Sequence, residues 1–61
     1  MCESSVYMKE GDAERLVLAD VVLIRPIPGG LYLEDILGRS QQITGSIEII
    51  DLANHRVIVT E

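Results

Sequence analysis

Cys2 is the residue whose type and position together suggest metal chemistry. It is the only cysteine of the chain, and it follows Met1 directly. With Met1 as the first residue, a terminal amine, a backbone amide nitrogen and a thiol lie within two residues, and such a set can chelate a soft or borderline metal. If Met1 is removed, the Cys2 amine and sulfur form one chelate ring, and the Glu3 amide nitrogen can add another. The sequence leaves both arrangements open.

The donors at this end predict both a metal and an oligomeric state. A thiolate combined with deprotonated backbone nitrogens favours a tetragonal site, which suits Ni(II) and Cu(II). One chain supplies a single sulfur, whereas two chains related by a two-fold axis supply two thiolates and at least two nitrogens. A two-fold contact brings the same surface of both chains together, so the donor set predicts one metal ion per homodimer. The alternative is that Cys2 is a small, partly buried apolar residue without a chemical role.

Other polar residues are weaker candidates. His55 is expected in a hairpin turn, where a solvated histidine is the ordinary outcome. Asp35 and Asp51 are expected to bond their own backbone in turns. Glu3 is expected to be a solvated charge beside the metal end, and Tyr7 to pack at the edge of the core. The sequence contains no glycine-rich phosphate loop and no CxxC or HExxH motif, so we expect a protein that is not an enzyme.

Length and cysteine content indicate a small domain whose core needs a supplement. A chain of 61 residues buries only about 60% of its unfolded surface, and such domains usually depend on disulfides, a metal or a partner subunit. A single cysteine excludes an internal disulfide. We therefore expect one domain over residues 1–61, stabilised by a metal or a second chain. The sequence shows no signal-peptide pattern and no apolar run of about 20 residues, so we expect no membrane contact and a cytoplasmic location.

The charge argues against nucleic acid as a partner. Ten acidic and five basic residues give a net charge of −5, and the chain has only two aromatic residues. Nucleic-acid-binding proteins normally present a basic face, often with aromatic side chains for base stacking. A small RNA-binding barrel module and an adaptor β-domain without a ligand remain the alternative hypotheses.

Alternating apolar residues between regularly spaced turns predict an all-β fold, a small barrel or sandwich. The expected strands cover residues 5–8, 14–18, 21–25, 31–34, 46–51 and 55–59, and residues 39–44 are expected to form an edge strand or an exposed crossing. A helix beginning at an Asp12 cap is the alternative for the second strand.

Glycine and proline mark the expected breaks in the strands. Pro26 is expected to end regular strand pairing, residues 28–30 to form a tight turn and Gly45 to kink the chain. In the strand at 46–51, Ile47 and Ile49 are expected to face the core. The strand at 21–25 is apolar on both faces at its centre, which is typical of a barrel interior or an oligomer interface.

Several short motifs give the chain a resemblance to a known family. They are Met1-Cys2, Val6-Tyr7, Asp20-Val21, Gly29-Gly30, Leu37-Gly38 and Ile50-Asp51-Leu52 with Ile58. In these the chain resembles the CooT family, small proteins associated with nickel handling for carbon monoxide dehydrogenase, some of which are labelled only as predicted RNA-binding proteins.

The resemblance implies a small SH3-like or Sm-like antiparallel β-barrel that forms a homodimer. It also implies one Ni(II) held between the two chains through the cysteine that corresponds to Cys2, and a nickel enzyme as client. The Met1 backbone nitrogen is a further expected ligand if Met1 is retained. Cu(II) or another divalent metal is expected to bind the same donors in vitro.

Overall fold

The computed structural model describes residues 3–61, which form a six-stranded β-sheet and no helix. The strands are β1 (Ser4–Glu10), β2 (Ala13–Ile27), β3 (Gly30–Asp35), β4 (Ser40–Thr44), β5 (Ser46–Asp51) and β6 (Arg56–Thr60). Their order across the sheet is β4-β3-β2-β1-β6-β5. The all-β prediction is confirmed, and the helix considered after Asp12 is wrong. Within the described range, no helix could span a membrane.

One long strand, β2, replaces the two strands predicted at residues 14–18 and 21–25. The break expected at Asp20 is a bulge inside this strand. Asp20 has a φ of 56°, and the pairing with β1 shifts register between Leu18 and Val21. A bulge bends the strand that carries it, so β2 can pair with β1 along its first half and with β3 along its second half.

Pro26 does not end strand pairing, contrary to the prediction, because it pairs with Leu31 of β3. Proline has no N–H to donate and is tolerated in a sheet where that donor is not needed. Within residues 3–61, β2 beyond Val21 has β3 as its only neighbouring strand. The predicted tight turn follows at Pro28, with Gly29 at a φ of 75°, the positive angle that such a turn requires at its second central residue.

The sheet is not the closed antiparallel barrel that the sequence predicted. β4 and β5 are its two edges, and β1 pairs in parallel with β6 while the other four pairs are antiparallel. The cause is the link between β4 and β5, a single residue, Gly45, with a φ of 120°. Gly45 kinks the chain without reversing it, so β5 continues in the direction of β4. The turn after β5 then reverses the chain, and β6 runs in the same direction as β1.

The core lies on one face of this curved sheet. Leu31 and Leu33 face it. Ile47 and Ile49 do not, contrary to the prediction, because both stay exposed on the edge strand β5, whose register shifts between them. Ile49 pairs with Ile58, which is buried but does not belong to the main core cluster, and Ile47 pairs with the core residue Val59. The core residues are Val6, Met8, Val21, Leu31, Leu33, Val57 and Val59.

A buried carboxylate organises the turn between β3 and β4. Asp35 is 1% exposed. Its Oδ1 accepts hydrogen bonds from the Leu37 N–H at 2.9 Å and the Arg39 N–H at 2.8 Å, and its Oδ2 accepts one from Arg39 Nε at 2.6 Å. Burial alone would raise the pKa of Asp35, but these hydrogen bonds and the Arg39 charge outweigh it and hold the pKa below its ordinary value. Asp35 therefore acts as the turn residue that the sequence predicted.

Leu33→Ala should destabilise the fold more than any exposed leucine substitution. Leu33 is fully buried, and replacing a buried leucine by alanine costs about 2–5 kcal/mol because a cavity remains. Leu16→Ala is the matched control, since Leu16 is 51% exposed and should lose about 1 kcal/mol or less. Urea unfolding at one fixed protein concentration measures both. Equal losses would show that Leu33 is not in the core.

Asp35→Asn should lower the melting temperature at neutral pH, because it removes the carboxylate on which the turn closes. A lowered folded-state pKa contributes stability above the unfolded value of about 3.9, and this stability is lost as the pH falls through the folded pKa. The wild type should therefore lose more stability below about pH 4 than Asp35→Asn does. Melting curves from acid to neutral pH test this, with Asp12→Asn in an exposed turn as control. The same acid dependence in wild type and Asp35→Asn would contradict it.

Candidate functional site

An open apolar cavity of about 350 Å³ lies where β1 begins. Ser4 is the β1 residue that lines it, and the remaining lining comes from β2 and from the end of the sheet formed by β5 and β6. Those residues are Val21, Val22, Leu23, Ile24, Ile50, Leu52 and Val57. The cavity therefore borders the point at which the chain enters the described structure.

The cavity is open because two elements end beside it. β5 is an edge strand, so Ile50 pairs with core residue Val57 on one side and stays 57% exposed. The β5–β6 turn places Leu52 at its rim with 75% exposure, and the second half of β2 adds the exposed side chains of Val22 and Leu23. Contiguous exposed apolar surface of this kind marks an interaction site in soluble proteins.

The β5–β6 turn is fixed beside the start of β1. Asp51 accepts hydrogen bonds from the side chain of Asn54 at 2.9 Å and from its backbone N–H at 3.1 Å. The Asn54 side chain, then its backbone N–H, and the Arg56 charge hold the pKa of Asp51 below its ordinary value. His55 has a φ of 54°, and its carbonyl accepts the Ser5 N–H at 2.9 Å. The predicted hairpin turn is confirmed, and Asp51 bonds its local backbone as expected.

The structure describes some of the predicted ligand residues and not others. Cys2 and Met1 lie outside the described residues, so their geometry stays a prediction. Glu3 is half-buried at the start of the described chain, and His55 is exposed. His55 lies closer to the start of β1 than its sequence position suggests, because its carbonyl bonds Ser5. Among residues 3–61, no three Cys, His, Asp or Glu side chains form a group that could hold a metal ion.

The basic side chains are paired rather than collected on one face. Four of the five form ion pairs with carboxylates, and the fifth, Arg25, lies 4.7 Å from the centre of the Tyr32 ring. The ion pairs are Lys9–Glu48, Arg15–Glu10, Arg39–Asp35 and Arg56–Glu14. Arg56 also lies 4.8 Å from the ring centre of Tyr7, which is half-buried beneath it. The arrangement gives no basic stripe for a phosphate backbone.

Sequence analysis identified part of this site and missed the rest. The two-faced apolar run at 21–25 indicated a barrel interior or an oligomer interface, and in the structure Val22 and Leu23 line the cavity. Ile50 and Leu52 were not associated with that run, because only the fold brings them to it. The available signal was Leu52 itself, since turns ordinarily carry polar residues or glycine.

Comparison with solved structures supports the same fold. The crystal structure of a candidate CooT from Carboxydothermus hydrogenoformans matches this chain with a TM-score of 0.91 and 36% sequence identity. The match covers 97% of this chain and 95% of that one. The comparison with curated proteins gave no match.

The family comparison accounts for nearly the whole chain. The model of the family described as CO dehydrogenase accessory protein CooT matches residues 1–60. An accessory protein assists an enzyme and is not the catalyst itself, in agreement with the prediction that this chain is not an enzyme. The resemblance seen in the short motifs is thereby confirmed, and the chain belongs to the CooT family of CO dehydrogenase accessory proteins.

Proposed function

We propose that this protein serves CO dehydrogenase as a nickel-binding metallochaperone or nickel store. One Ni(II), as cargo, is held between two chains through the Cys2 thiolates and amino-terminal backbone nitrogens. The observation that carries the proposal is the position of the only cysteine, two residues before Ser4 at the open apolar cavity. The family's role as an accessory to CO dehydrogenase supplies the client.

A nickel ion shared by two Cys2 residues determines which surfaces of the two chains meet. A strand rises about 3.3 Å per residue, so Cys2 lies within about 7 Å of Ser4 along the chain. Two thiolates on one ion therefore bring the surroundings of Ser4 in both chains close together. Those surroundings are the exposed apolar side chains of Val22, Leu23, Ile50 and Leu52. The cargo site and the surface that a second copy would cover thus coincide.

Thiol chemistry also favours a cytoplasmic location for this function. The thiolate is the form that binds the metal, and an oxidised cysteine cannot provide it. Cytoplasmic thiols are kept reduced. A protein that carries nickel on one cysteine per chain is therefore best suited to that compartment.

RNA binding is the weaker alternative on this structure. The ion pairs of four of the five basic residues neutralise the charges that a nucleic acid would need, and affinity for phosphates depends on releasing counterions with free cations. An adaptor β-domain without a ligand is the other alternative, and the absence of any response to Ni(II) would favour it.

Cys2→Ser should reduce nickel affinity by orders of magnitude and leave the fold intact. Serine keeps the approximate size of the side chain and removes the soft sulfur donor, while the core residues all lie on the strands. Calorimetric titration with Ni(II) measures affinity and stoichiometry, and absorption spectroscopy follows the loss of the thiolate-to-nickel band.

His55→Ala is the control for this variant. His55 is the only histidine of the chain, and its backbone carbonyl bonds the Ser5 N–H at the start of β1. Removing its side chain should change nickel affinity by less than about threefold. Tight binding of one nickel per dimer by Cys2→Ser would contradict the proposal. Loss of binding in His55→Ala alone would move the site to the β5–β6 turn.

Nickel affinity should rise steeply with pH. Free thiols titrate near about 8.5 and terminal amines near about 7.7–8.0, and both must lose a proton to become ligands, so binding releases protons. Calorimetry in two buffers of different ionisation enthalpy counts these protons between about pH 6 and pH 9. A constant affinity and no proton release over this range would exclude thiolate and amine ligands.

A further inference from the structure

The start of β1 is held by a regular contact on the β6 side and by an irregular one on the β2 side. The Ser5 N–H donates to the His55 carbonyl at 2.9 Å, and the parallel pairing with β6 continues from there to Met8. On the β2 side, the pairing shifts register between Ser4 and Val6. Such a shift locally disrupts the ladder of backbone hydrogen bonds. The His55 carbonyl is therefore the regular backbone contact that fixes the first residues of β1.

The β5–β6 turn reaches this position with a histidine where other turns use glycine. His55 has a φ of 54°, a left-handed angle that is uncommon and strained for a residue with a side chain. The turns after β1, β2 and β3 carry glycine at the corresponding angle, at Gly11, Gly29 and Gly38. A residue other than glycine keeps this angle only where the surrounding structure holds it there. The direction of the His55 carbonyl thus depends on what fixes the turn.

Asp51 is the residue that fixes the turn. Its Oδ1 accepts the Asn54 N–H at 3.1 Å, and its Oδ2 accepts the Asn54 side-chain amide at 2.9 Å. Asp51 also pairs with Arg56 across the two strands, so the turn is closed at its base as well. His55 follows Asn54 directly and takes its position from it. A chain of contacts thus leads from the Asp51 carboxylate through the turn to the Ser5 N–H.

The same turn borders the cavity at the start of β1. Leu52, the residue after Asp51, lines that cavity together with Ser4. Cys2 precedes Ser5 by three residues, which is about 10 Å of extended chain. A tetragonal nickel site requires its donors in a defined arrangement. A backbone contact that fixes the direction of β1 at Ser5 therefore restricts where the donors of the amino terminus can lie.

We propose that Asp51 is a positioning residue for the nickel donors at the amino terminus, and that it acts through the β5–β6 turn and the His55 carbonyl. Asp51 does not bind the metal itself and acts on the donors by way of Ser5. The inference rests on the proposed function, because it takes the Cys2 thiolate as the ligand. It does not need the imidazole of His55, since the backbone makes the contact, in agreement with the small effect expected for His55→Ala.

Asp51→Ala should weaken nickel binding by about tenfold, the effect of losing hydrogen bonds of ordinary strength, and should alter the thiolate-to-nickel absorption band. Asp51→Asn should stay within about threefold of wild type, because asparagine also accepts a backbone N–H in such turns. Both variants lose the same charge, so the difference between them reports the hydrogen bonds and not the attraction of a carboxylate for the cation. Asp12→Ala, in the exposed β1–β2 turn, is the matched control and should bind nickel as the wild type does.

Amide hydrogen exchange of the nickel-free protein tests the positioning step by itself. The Ser5 amide should exchange about tenfold faster in Asp51→Ala than in wild type or Asp51→Asn, because local opening at the start of β1 becomes easier. The amides of β3, which is paired on both sides, should exchange as in wild type and so show that the variant is folded.

The titrations and the exchange rates together decide the inference. Unchanged Ser5 exchange in Asp51→Ala would overturn it, and so would faster Ser5 exchange with wild-type nickel affinity. An equal loss of affinity in Asp51→Asn and Asp51→Ala would also overturn it, because the carboxylate would then act by its charge or as a ligand. Loss of binding in Cys2→Ser with wild-type binding in Asp51→Ala defeats the positioning role alone, whereas wild-type binding in Cys2→Ser defeats the cargo site on which it rests.

Discussion

The bend of β2 at Asp20 is the constraint on which the cavity and the position of the β3–β4 turn both depend. The bulge at Asp20 lets a single strand serve two neighbours, β1 before the bulge and β3 after it. Pairing with β1 ends at Val21, so the following residues of β2 present apolar side chains to the cavity. The Asp20 carbonyl, at the bulge itself, accepts the Ile36 N–H and positions the β3–β4 turn. Bulges are frequent next to functional sites for this reason: they redirect side chains without ending the sheet.

The distribution of apolar side chains explains why so small a sheet presents apolar surface. Among residues 3–61, seven form the main core, and nine large hydrophobic side chains remain exposed. A chain of 61 residues has too little interior to bury them all. Two aspartates, Asp35 and Asp51, fix turns whose leucines project outward. Hydrogen bonds to these carboxylates hold the backbone of the two turns in place, which burial in a core would otherwise do. The exposed leucines are therefore carried on a backbone of defined geometry.

Features that depend on a few neighbouring residues could be predicted from the sequence. The strand class, the turn at Pro28, the hairpin closed by Asp51 and the edge position of β4 all follow from short stretches of sequence. The parallel pairing of β1 with β6 does not, because its direction depends on whether Gly45 reverses the chain or only kinks it. The inward positions predicted for Ile47 and Ile49 were wrong, since β5 is an edge strand and its register shifts between these two residues. Cys2 could be proposed as a ligand from its type and position, whereas the cavity beside Ser4 could not be predicted, because its residues come from distant segments.

The position of the proposed ligands at the amino terminus bears on how a cargo would leave the protein. A metal site made of several side chains on rigid strands would hold the ion within one chain, and such a group does not occur among residues 3–61. On the proposed function, each chain supplies only part of the ligand set, so metal binding and self-association stabilise each other by mass action. Ligands at the end of a strand can be reached from outside the sheet.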